Sequence, residues 1–274
     1  MIERESISGN GDGDGHLKDM SAESCHEAMP LEKKSEQMGK ASVLITGIYL
    51  ANQENAIGHI VAELNRSQEC NIVQKWIALF GDAPSPEVGA VTSLKLTSPQ
   101  PKFVLLNKIL SGEKLHLYDY IVLCDDDIKL CPGFIDTFLK LQERYDFALA
   151  QPARTHNSYI DHPFVERFDG LTARRTRFIE IGPVLSIRKD AFAVLLPFDE
   201  SSPMGWGYDF VWPCLIEKMG MRMGIIDATP IDHSMRKPVI NYNYDEANKS
   251  MQNYLSGNPH LSKGEAFRII ESYV

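Results

Sequence analysis

The sequence is poor in cysteine, and the cysteines it has form no recognisable pairs. Five of them are scattered along 274 residues, at Cys25, Cys70, Cys124, Cys131 and Cys214. No two have Cys-x-x-Cys spacing, so the pattern indicates neither a disulfide framework nor a zinc site. We therefore expect a reducing, cytoplasmic environment.

Long apolar runs and an excess of basic residues are also absent. No segment approaches the roughly 20 apolar residues of a membrane-spanning helix, and the first residues lack the pattern of a signal peptide. The formal net charge of −9 argues against a general nucleic-acid binder. We expect a soluble protein without a nucleic-acid partner. The oligomeric state and a peripheral membrane contact stay open.

The first 40 residues contain few apolar side chains. Residues 9–15 alternate glycine with Asn and Asp, and residues 32–37 are mostly charged or polar. Such a segment cannot bury enough apolar surface to offset the entropy of ordering it. We predict a disordered polar tail over 1–40 and one folded domain over 41–274, with helices at its C-terminal end, over 241–274.

Apolar segments with strand and helix spacing alternate from residue 41 onward. The predicted strands are 43–48, 71–80, 88–96, 120–123, 147–150, 178–187 and 221–226. The predicted helices are 55–65, 101–110, 133–145, 190–196, 245–255 and 263–273, and a further one follows Asp209, with Val211, Leu215, Ile216 and Met219 on its inward face. A loop is expected over 154–176. The alternation predicts an α/β fold with a doubly wound, mostly parallel sheet flanked by helices.

The apolar strand over 120–123 leads into three consecutive carboxylates, Asp125, Asp126 and Asp127. In an open α/β sheet, ligands bind beyond the carboxyl ends of the strands. Adjacent acids repel one another at neutral pH, and a divalent cation with oxygen ligands, Mg²⁺ or Mn²⁺, shared with a phosphate would offset that repulsion. The alternative is a solvated acidic turn.

Several polar residues elsewhere also invite a functional explanation. Glu180 is a lone acid in an apolar segment and needs either a buried cation or a ligand hydroxyl as its partner. Asp209 precedes a predicted helix and would suit its N-cap. Lys102 opens a predicted helix, and His233 lies in a late loop. The arginines Arg174, Arg175 and Arg177 either contact phosphate or form a solvated basic face.

Taken in order, Asp125–Asp127 as an Asp-x-Asp motif, the loop Trp206-Gly207-Tyr208-Asp209 and the later His233 resemble the GT-A fold glycosyltransferases. Segments 178–186, 206–209 and 224–233 resemble, in more detail, a plant and bacterial GT-A-like family of unassigned function. The resemblance covers roughly residues 100 to 235. It implies a nucleotide-binding half over about 41–130 and an acceptor-binding half over about 131–240.

In such enzymes the Asp-x-Asp motif binds Mn²⁺ or Mg²⁺, and the metal holds the diphosphate of a nucleotide sugar. The resemblance implies that Asp127 and His233 are metal ligands and that Asp125 shares the metal or faces the ribose. Asp126 and Lys102 are further candidates for contact with the donor.

The segment 206–209 resembles part of the Trp-Gly-Trp-Gly-x-Glu-Asp loop of inverting galactosyltransferases. The resemblance implies that Asp209 takes the proton from the acceptor hydroxyl. It also assigns Trp206, Gly207 and Tyr208 to the sugar or acceptor site, where we add Glu180. The sequence has one acid where that loop has two, and it lacks the first Trp.

We therefore predict a metal-dependent glycosyltransferase that moves a sugar from a nucleotide-sugar donor, preferably UDP-linked, to a glycan or other hydroxyl acceptor. Inversion is expected if Asp209 is the base, and a retaining course stays open if it caps the helix. One alternative is a metal-dependent nucleotidyl or phosphoryl transferase, which the lack of glycines and basic residues over 49–54 disfavours. Another is a non-catalytic nucleotide- or carbohydrate-binding module on the same fold.

Overall fold

The computed structural model describes residues 39–237 and 243–274. The predicted tail over 1–40 therefore lies outside the described residues, except for Gly39 and Lys40. Within the described ranges, no helix combines the length and the apolar character that crossing a membrane requires.

The strands of the described residues form one nine-stranded sheet in the order β3-β2-β1-β4-β7-β5-β8-β6-β9. They are β1 (Ala41–Leu50), β2 (Cys70–Leu79), β3 (Thr92–Leu96), β4 (Tyr120–Asp125), β5 (Phe147–Arg154), β6 (Ala173–Thr176), β7 (Val184–Arg188), β8 (Arg222–Ile231) and β9 (Ile269–Tyr273).

Most strands of this sheet run in the same direction. Parallel pairing joins β3, β2, β1 and β4, and it joins β5 to β8. Strand β7 is antiparallel to both β4 and β5, and β6 is antiparallel to both β8 and β9. Only β6 and β7 of the described strands therefore oppose the others. The predicted α/β fold with a mostly parallel sheet is confirmed.

Helices cover both faces of the sheet. They are α1 (Ile57–Leu64), α2 (Pro86–Val91), α3 (Lys102–Leu110), α4 (Phe134–Arg144), α5 (Phe192–Leu195), α6 (Tyr208–Lys218), α7 (Tyr244–Gly257) and α8 (Lys263–Ala266). Short 3₁₀ turns occur at Leu115–Leu117, Pro163–Val165 and Lys189–Ala191.

The continuous apolar run of β4 follows from burial on both faces. Successive side chains of a strand point to opposite faces. Val122 accordingly packs in the core layer with helices α1 and α4, whereas Ile121 and Leu123 pack in the layer with α3 and α6. Both layers require apolar partners, so the strand carries no polar residue until its carboxyl end.

The segment predicted as one strand over 88–96 is a helix followed by a strand. The Ser85 hydroxyl accepts a hydrogen bond from the backbone N–H of Val88, and Pro86 occupies the first turn of α2. Both features start helices. The prediction missed them because the apolar residues of this segment also suit a strand.

The second predicted C-terminal helix, over 263–273, is also wrong. Helix α8 ends at Ala266, and the chain continues as β9, which pairs with β6 so that Tyr273 lies opposite Ala173. The loop predicted over 154–176 accordingly ends in a strand, β6. Pairing between distant segments overrides the local preference of each, and a single segment does not reveal its partner.

Candidate active site

The carboxyl ends of β1, β2 and β4 meet at a cavity of about 450 Å³. Parallel pairing places Ile48 opposite Asp125. Gly47 of β1 has no room for a side chain at this place, because an added Cβ would collide with the carbonyl oxygen of Cys124. The apolar lining consists of Ile48, Leu50, Leu79, Pro99, Pro101 and Met204. The polar lining consists of Gln100, Lys102, Asp125, Asp126, Asp127, His233, Arg236, Asn243 and Glu246.

Asp125 and Lys102 form an ion pair at the edge of this cavity. The Lys102 ammonium lies 2.6 Å from Oδ1 and 2.9 Å from Oδ2 of Asp125. Gly182 lies beside the pair, where an added Cβ would stand 3.1 Å from Asp125 Oδ2 and 3.2 Å from Lys102 Nζ. The two predicted donor-binding residues are therefore neighbours, and each neutralises the other in this structure.

Asp126 connects several segments around the cavity. Its Oδ2 accepts a hydrogen bond of 2.7 Å from Leu50 N, its Oδ1 accepts one from Arg236, and its carbonyl oxygen accepts one of 2.6 Å from Ala56 N. Burial raises the pKa of Asp126 to about 6, although Arg236 and the Leu50 N–H act in the opposite direction. Both carboxylate oxygens already have protein partners, so the group holds the end of β1 against Arg236.

Asp127 lies between His233 and Arg236. Its Oδ1 is 3.3 Å from His233 Nε2, and its Oδ2 is 3.4 Å from Arg236 Nη2. Burial raises the pKa of Asp127, but the hydrogen bond and charge of His233, together with the charge of Arg236, outweigh it, and the net pKa is lowered. The carboxylate is therefore ionised at neutral pH and faces two nitrogen donors.

Asp127 and His233 suit a shared divalent cation. Adjacent ligands of an octahedral Mg²⁺ shell, each about 2.0–2.1 Å from the ion, lie about 3 Å apart, close to the observed 3.3 Å between Oδ1 and Nε2. In the ranges that the structure describes, no group of three or more His, Cys, Asp or Glu side chains is placed to hold a metal. The predicted three-ligand set is thus not assembled, because Asp125 contacts Lys102 instead. Two protein ligands would suit a divalent cation that takes its other ligands from water and phosphate.

The partner of Glu180 is a buried guanidinium. Arg154, whose side chain is 2% exposed, donates to Glu180 Oε2 at 2.8 Å and also to the carbonyl oxygen of Gly182. Its other terminal nitrogen lies 3.3 Å from His233 Nδ1. Of the two partners predicted for Glu180, the structure contains the buried cation. The same guanidinium therefore contacts both Glu180 and Nδ1 of His233, whose Nε2 faces Asp127.

His162 contacts the other oxygen of Glu180. Both the backbone nitrogen and Nδ1 of His162 lie within hydrogen-bond distance of Oε1, at 3.1 Å and 3.2 Å. The hydrogen bond to Glu180 raises the pKa of His162 more than burial lowers it. Glu180 is thus held from both sides and does not line the 450 Å³ cavity.

Asp209 lies in the first turn of α6 but does not cap it. The N-cap residue is Gly207, with φ +92°, so the N-cap role considered for Asp209 is wrong. Asp209 Oδ1 is buried and has no hydrogen-bond partner. Burial raises the pKa of Asp209 to about 7, with a further contribution from Glu180, and His162 acts in the opposite direction. A pKa of about 7 means that the protonated and the ionised carboxyl group are both populated near neutral pH.

Tyr208 belongs to the core. Its side chain is fully buried, and its hydroxyl donates to the carbonyl oxygen of Asp199. Its ring centroid lies 4.9 Å from that of Phe103 and 4.8 Å from that of Trp212. The sugar contact predicted for Tyr208 is corrected by this burial, which the sequence did not reveal because aromatic residues are common in both cores and sugar sites.

Gly207 and Trp206 have different surroundings. Gly207 is needed for its positive φ, and an added Cβ would also stand 3.2 Å from Leu255. The indole of Trp206 packs edge-on against Tyr244, with ring centroids 5.0 Å apart. Neither residue lines the 450 Å³ cavity, so their sugar contacts stay predictions.

The sequence did not single out three residues of this site: Arg154, His162 and Arg236. Each acquires its role from acids that are distant in the chain. The only local signal is the short spacing between His233 and Arg236, which is not distinctive. By contrast, Arg174 is a core residue, paired at 2.9 Å with the equally buried Asp227. For Arg174, both predicted alternatives, contact with phosphate and a solvated basic face, are therefore wrong.

Comparisons with known proteins show likeness in structure and not in sequence. The sequence matches no family model and no curated protein. The crystal structure of GalNAc-T7 with UDP, GalNAc and Mn²⁺ superposes with a TM-score of 0.55 at 9% identity, over 79% of this chain and 48% of that chain. This chain therefore spans about half the length of GalNAc-T7. The likeness shows the fold alone and agrees with the GT-A-like architecture expected from the sequence.

Two further solved structures are less similar. A mycobacterial protein has a TM-score of 0.47 at 12% identity, over 80% of this chain and 76% of that chain. The mannosyltransferase PcManGT from Pyrobaculum calidifontis, in complex with GDP-Man and Mn²⁺, has a TM-score of 0.43 at 14% identity, over 70% and 58%.

Proposed function

We propose that the chain is a metal-dependent glycosyltransferase that uses a nucleotide-sugar donor. The observation that supports it most directly is the Asp127–His233 pair, 3.3 Å apart, in a cavity at the carboxyl ends of parallel strands. Lys102 and Arg236 line the same cavity. An oxygen–nitrogen ligand pair beside two permanent cations suits a metal–diphosphate group.

The cavity offers separate surfaces for the parts of a nucleotide. Ile48, Leu50 and Leu79 provide an apolar wall against which a base can pack, and Gln100 adds an amide for its polar edge. Lys102 and Arg236 lie on the side of the acids, where they would neutralise the diphosphate. Asp125, which lies beside Lys102, is the proposed contact of the ribose. We favour UDP, since GalNAc-T7 was crystallised with UDP, GalNAc and Mn²⁺.

Asp127 and His233 would hold the divalent cation, Mn²⁺ or Mg²⁺. A bound cation would supply Lewis-acid stabilisation of the leaving diphosphate. The backbone fixes the two ligands, because Lys129 and Asp232, which follow Asp127 and precede His233, form a β-bridge with N–O distances of 2.8 Å and 3.3 Å. A ligand pair held by main-chain bonds needs little reorganisation on binding.

Asp209 is the proposed acceptor base. Its buried Oδ1 has no hydrogen-bond partner and would accept the proton of a hydroxyl, and its pKa of about 7 matches neutral conditions, although Asp209 does not line the 450 Å³ cavity. A base of this kind contributes roughly 10²- to 10⁴-fold to a rate. Direct attack by the deprotonated hydroxyl would invert the anomeric centre. The acceptor is a glycan or another hydroxyl compound.

Calorimetric titration with UDP and with GDP, each with and without MnCl₂, tests the proposal. We expect one nucleotide to bind the wild-type chain at least about tenfold more tightly with Mn²⁺ than without it. In the presence of Mn²⁺ it should bind Asp127→Ala at least about tenfold more weakly than the wild type. The matched control is Asp169→Ala, which removes a carboxylate whose side chain is 75% exposed. If neither nucleotide binds the wild type at any metal concentration, the proposal fails. Release of the nucleotide from a sugar donor, abolished in Asp209→Asn, separates a transferase from a binding module.

A further inference from the structure

Carboxylates outnumber permanent cations on the cavity surface. The described lining contains four carboxylates and two permanent cations. The carboxylates belong to Asp125, Asp126, Asp127 and Glu246, and the cations are Lys102 and Arg236. Both cations are already paired with acids, Lys102 with Asp125 and Arg236 with Asp126 and Asp127. The described part of the lining is therefore negative as a whole, and its positive charges are paired with its own acids.

Arg236 occupies a position that matters to both ligands of the proposed site. Its Nη2 donates to Asp126 Oδ1 and lies 3.4 Å from Oδ2 of Asp127, the proposed metal ligand. Its Nη1 donates to the carbonyl oxygen of Glu54. Its Nε is buried without a hydrogen-bond partner, so this guanidinium has an unused donor while it lines the cavity.

A cation at this position opposes the binding of another cation. The guanidinium lies next to the same carboxylate that would bind Mn²⁺, and like charges at such short range in a partly buried site repel each other strongly. A metal ion entering alone must therefore displace Arg236 from Asp127 or tolerate it. A diphosphate entering alone meets a cavity with more negative than positive charge. Each ligand alone thus meets an electrostatic cost that the other would offset, namely the guanidinium beside Asp127 for the metal and the surrounding acids for the diphosphate.

We propose that Arg236 is the counter-cation of Asp126 and Asp127 when the cavity is empty. Its guanidinium moves from Asp127 to the diphosphate only when metal and nucleotide bind together. This proposal rests on the function proposed above and adds a coupling between the two ligands. With a metal bound, Asp127 would no longer need Arg236 as its counter-charge, and the freed guanidinium would pair with phosphate oxygens, for which its planar fork is suited. Coupling of this kind is reciprocal: each ligand raises the affinity for the other by the same factor.

Titration calorimetry of MnCl₂ alone, UDP alone and each in the presence of the other measures the coupling. In the wild type we expect each ligand to raise the affinity for the other by about tenfold or more. In Arg236→Met we expect Mn²⁺ alone to bind more tightly than in the wild type, because the competing charge is gone. UDP in the presence of Mn²⁺ binds more weakly, and the coupling factor falls below about threefold.

Two further variants keep the test decisive. Arg236→Lys retains the charge without the planar fork, so its affinity for Mn²⁺ should stay near that of the wild type. This variant still tests the role of the charge if Arg236→Met folds poorly. Arg268→Met removes an exposed arginine whose Nε bonds only the carbonyl oxygen of Gly264 among the described contacts, and it should leave all affinities unchanged.

The outcomes distinguish this proposal from the proposed function. If the wild type binds UDP with Mn²⁺ but Arg236→Met binds Mn²⁺ alone no more tightly, or keeps the full coupling factor, the counter-cation role is refuted and the function stands. If the wild type binds no nucleotide, the proposed function and the coupling both fail. A gain in Mn²⁺ affinity together with a loss of coupling supports both.

Discussion

Oδ1 of Asp127 lies 3.3 Å from Nε2 of His233, although the two residues follow different strands of the sheet. Asp127 comes just after β4 and His233 just after β8, which β7 and β5 separate in the strand order. The β-bridge between Lys129 and Asp232 closes this gap. The pair is therefore a product of the backbone path, and it defines the position of the proposed metal.

Replacement of His233 by alanine tests the metal pair. We expect His233→Ala to lower the affinity for UDP in the presence of Mn²⁺ by at least about tenfold, because half of the protein ligand pair is lost. The affinity for UDP in the absence of Mn²⁺ should be the same in His233→Ala as in the wild type. Titration calorimetry measures both, and His260→Ala, which removes an exposed imidazole, is the matched control. Equal affinity of His233→Ala and the wild type would contradict a role for His233 at the metal.

The buried carboxyl of Asp209 makes stability depend on pH. Its pKa rises from the ordinary value of 3.8 to about 7 in the folded state, so the folded chain retains a proton that the unfolded chain loses. Stability from this group therefore falls as the pH rises from about 4 to about 7 and is level beyond both limits. Asp209→Asn should be more stable than the wild type at pH 8 by about 2–4 kcal/mol.

Urea unfolding at several pH values measures this difference. The advantage of Asp209→Asn should shrink steadily below pH 7 and disappear near pH 4. Asp169→Asn, at an exposed position, should track the wild type throughout. An advantage that does not change between pH 5 and pH 8 would show that burial of the carboxylate is not its cause.

The Arg174–Asp227 pair should be far more sensitive to single than to double replacement. Both side chains are fully buried, the Nε–Oδ2 distance is 2.9 Å, and the guanidinium lies 4.1 Å over the ring of Phe168. Asp227→Ala leaves a buried charge without its partner and should cost about 3–5 kcal/mol. The double variant Arg174→Met/Asp227→Leu should recover part of this loss.

Urea unfolding also measures the cost at this pair, and a surface pair provides the comparison. Glu217→Ala breaks the pair between Glu217 and Arg177, whose side chains are 41% and 24% exposed, and it should cost less than about 1 kcal/mol. Equal losses of unfolding free energy in Asp227→Ala and Glu217→Ala would contradict the expected dependence on the buried charge.

Gly205 is required by both its backbone and its neighbours. Its φ is +81°, and an added Cβ would collide with the ring of Phe103 and stand 2.8 Å from Cδ1 of Ile181. Gly205→Ala should destabilise the fold by about 2–4 kcal/mol. Gly58→Ala, in helix α1 where the new Cβ would meet nothing within 4 Å beyond its chain neighbours and its own helix backbone, should instead stabilise it by about 0.5–1 kcal/mol. Thermal unfolding distinguishes the two, and equal effects would contradict the packing argument.

The sequence was most informative where local pattern and burial agree. The apolar run of β4 followed by Asp125–Asp127 predicted a buried strand ending at a ligand site, and the alternation around it predicted the mostly parallel sheet. It was least informative where a segment depends on a distant partner. Residues 269–273 became a strand only because β6 offered an edge.

The chemistry of the site divides in the same way. Residue type and order alone determined that acids end a central strand and that Asp127 and His233 are candidate ligands, because these depend on periodicity and on the chemistry of single side chains. Only the tertiary structure decided which charges meet. It paired Arg236 with Asp126 and Asp127, gave Arg154 to Glu180, and buried Tyr208 and Arg174 in the core. Those pairings depend on how strands cross in space, a property that no local stretch of sequence contains.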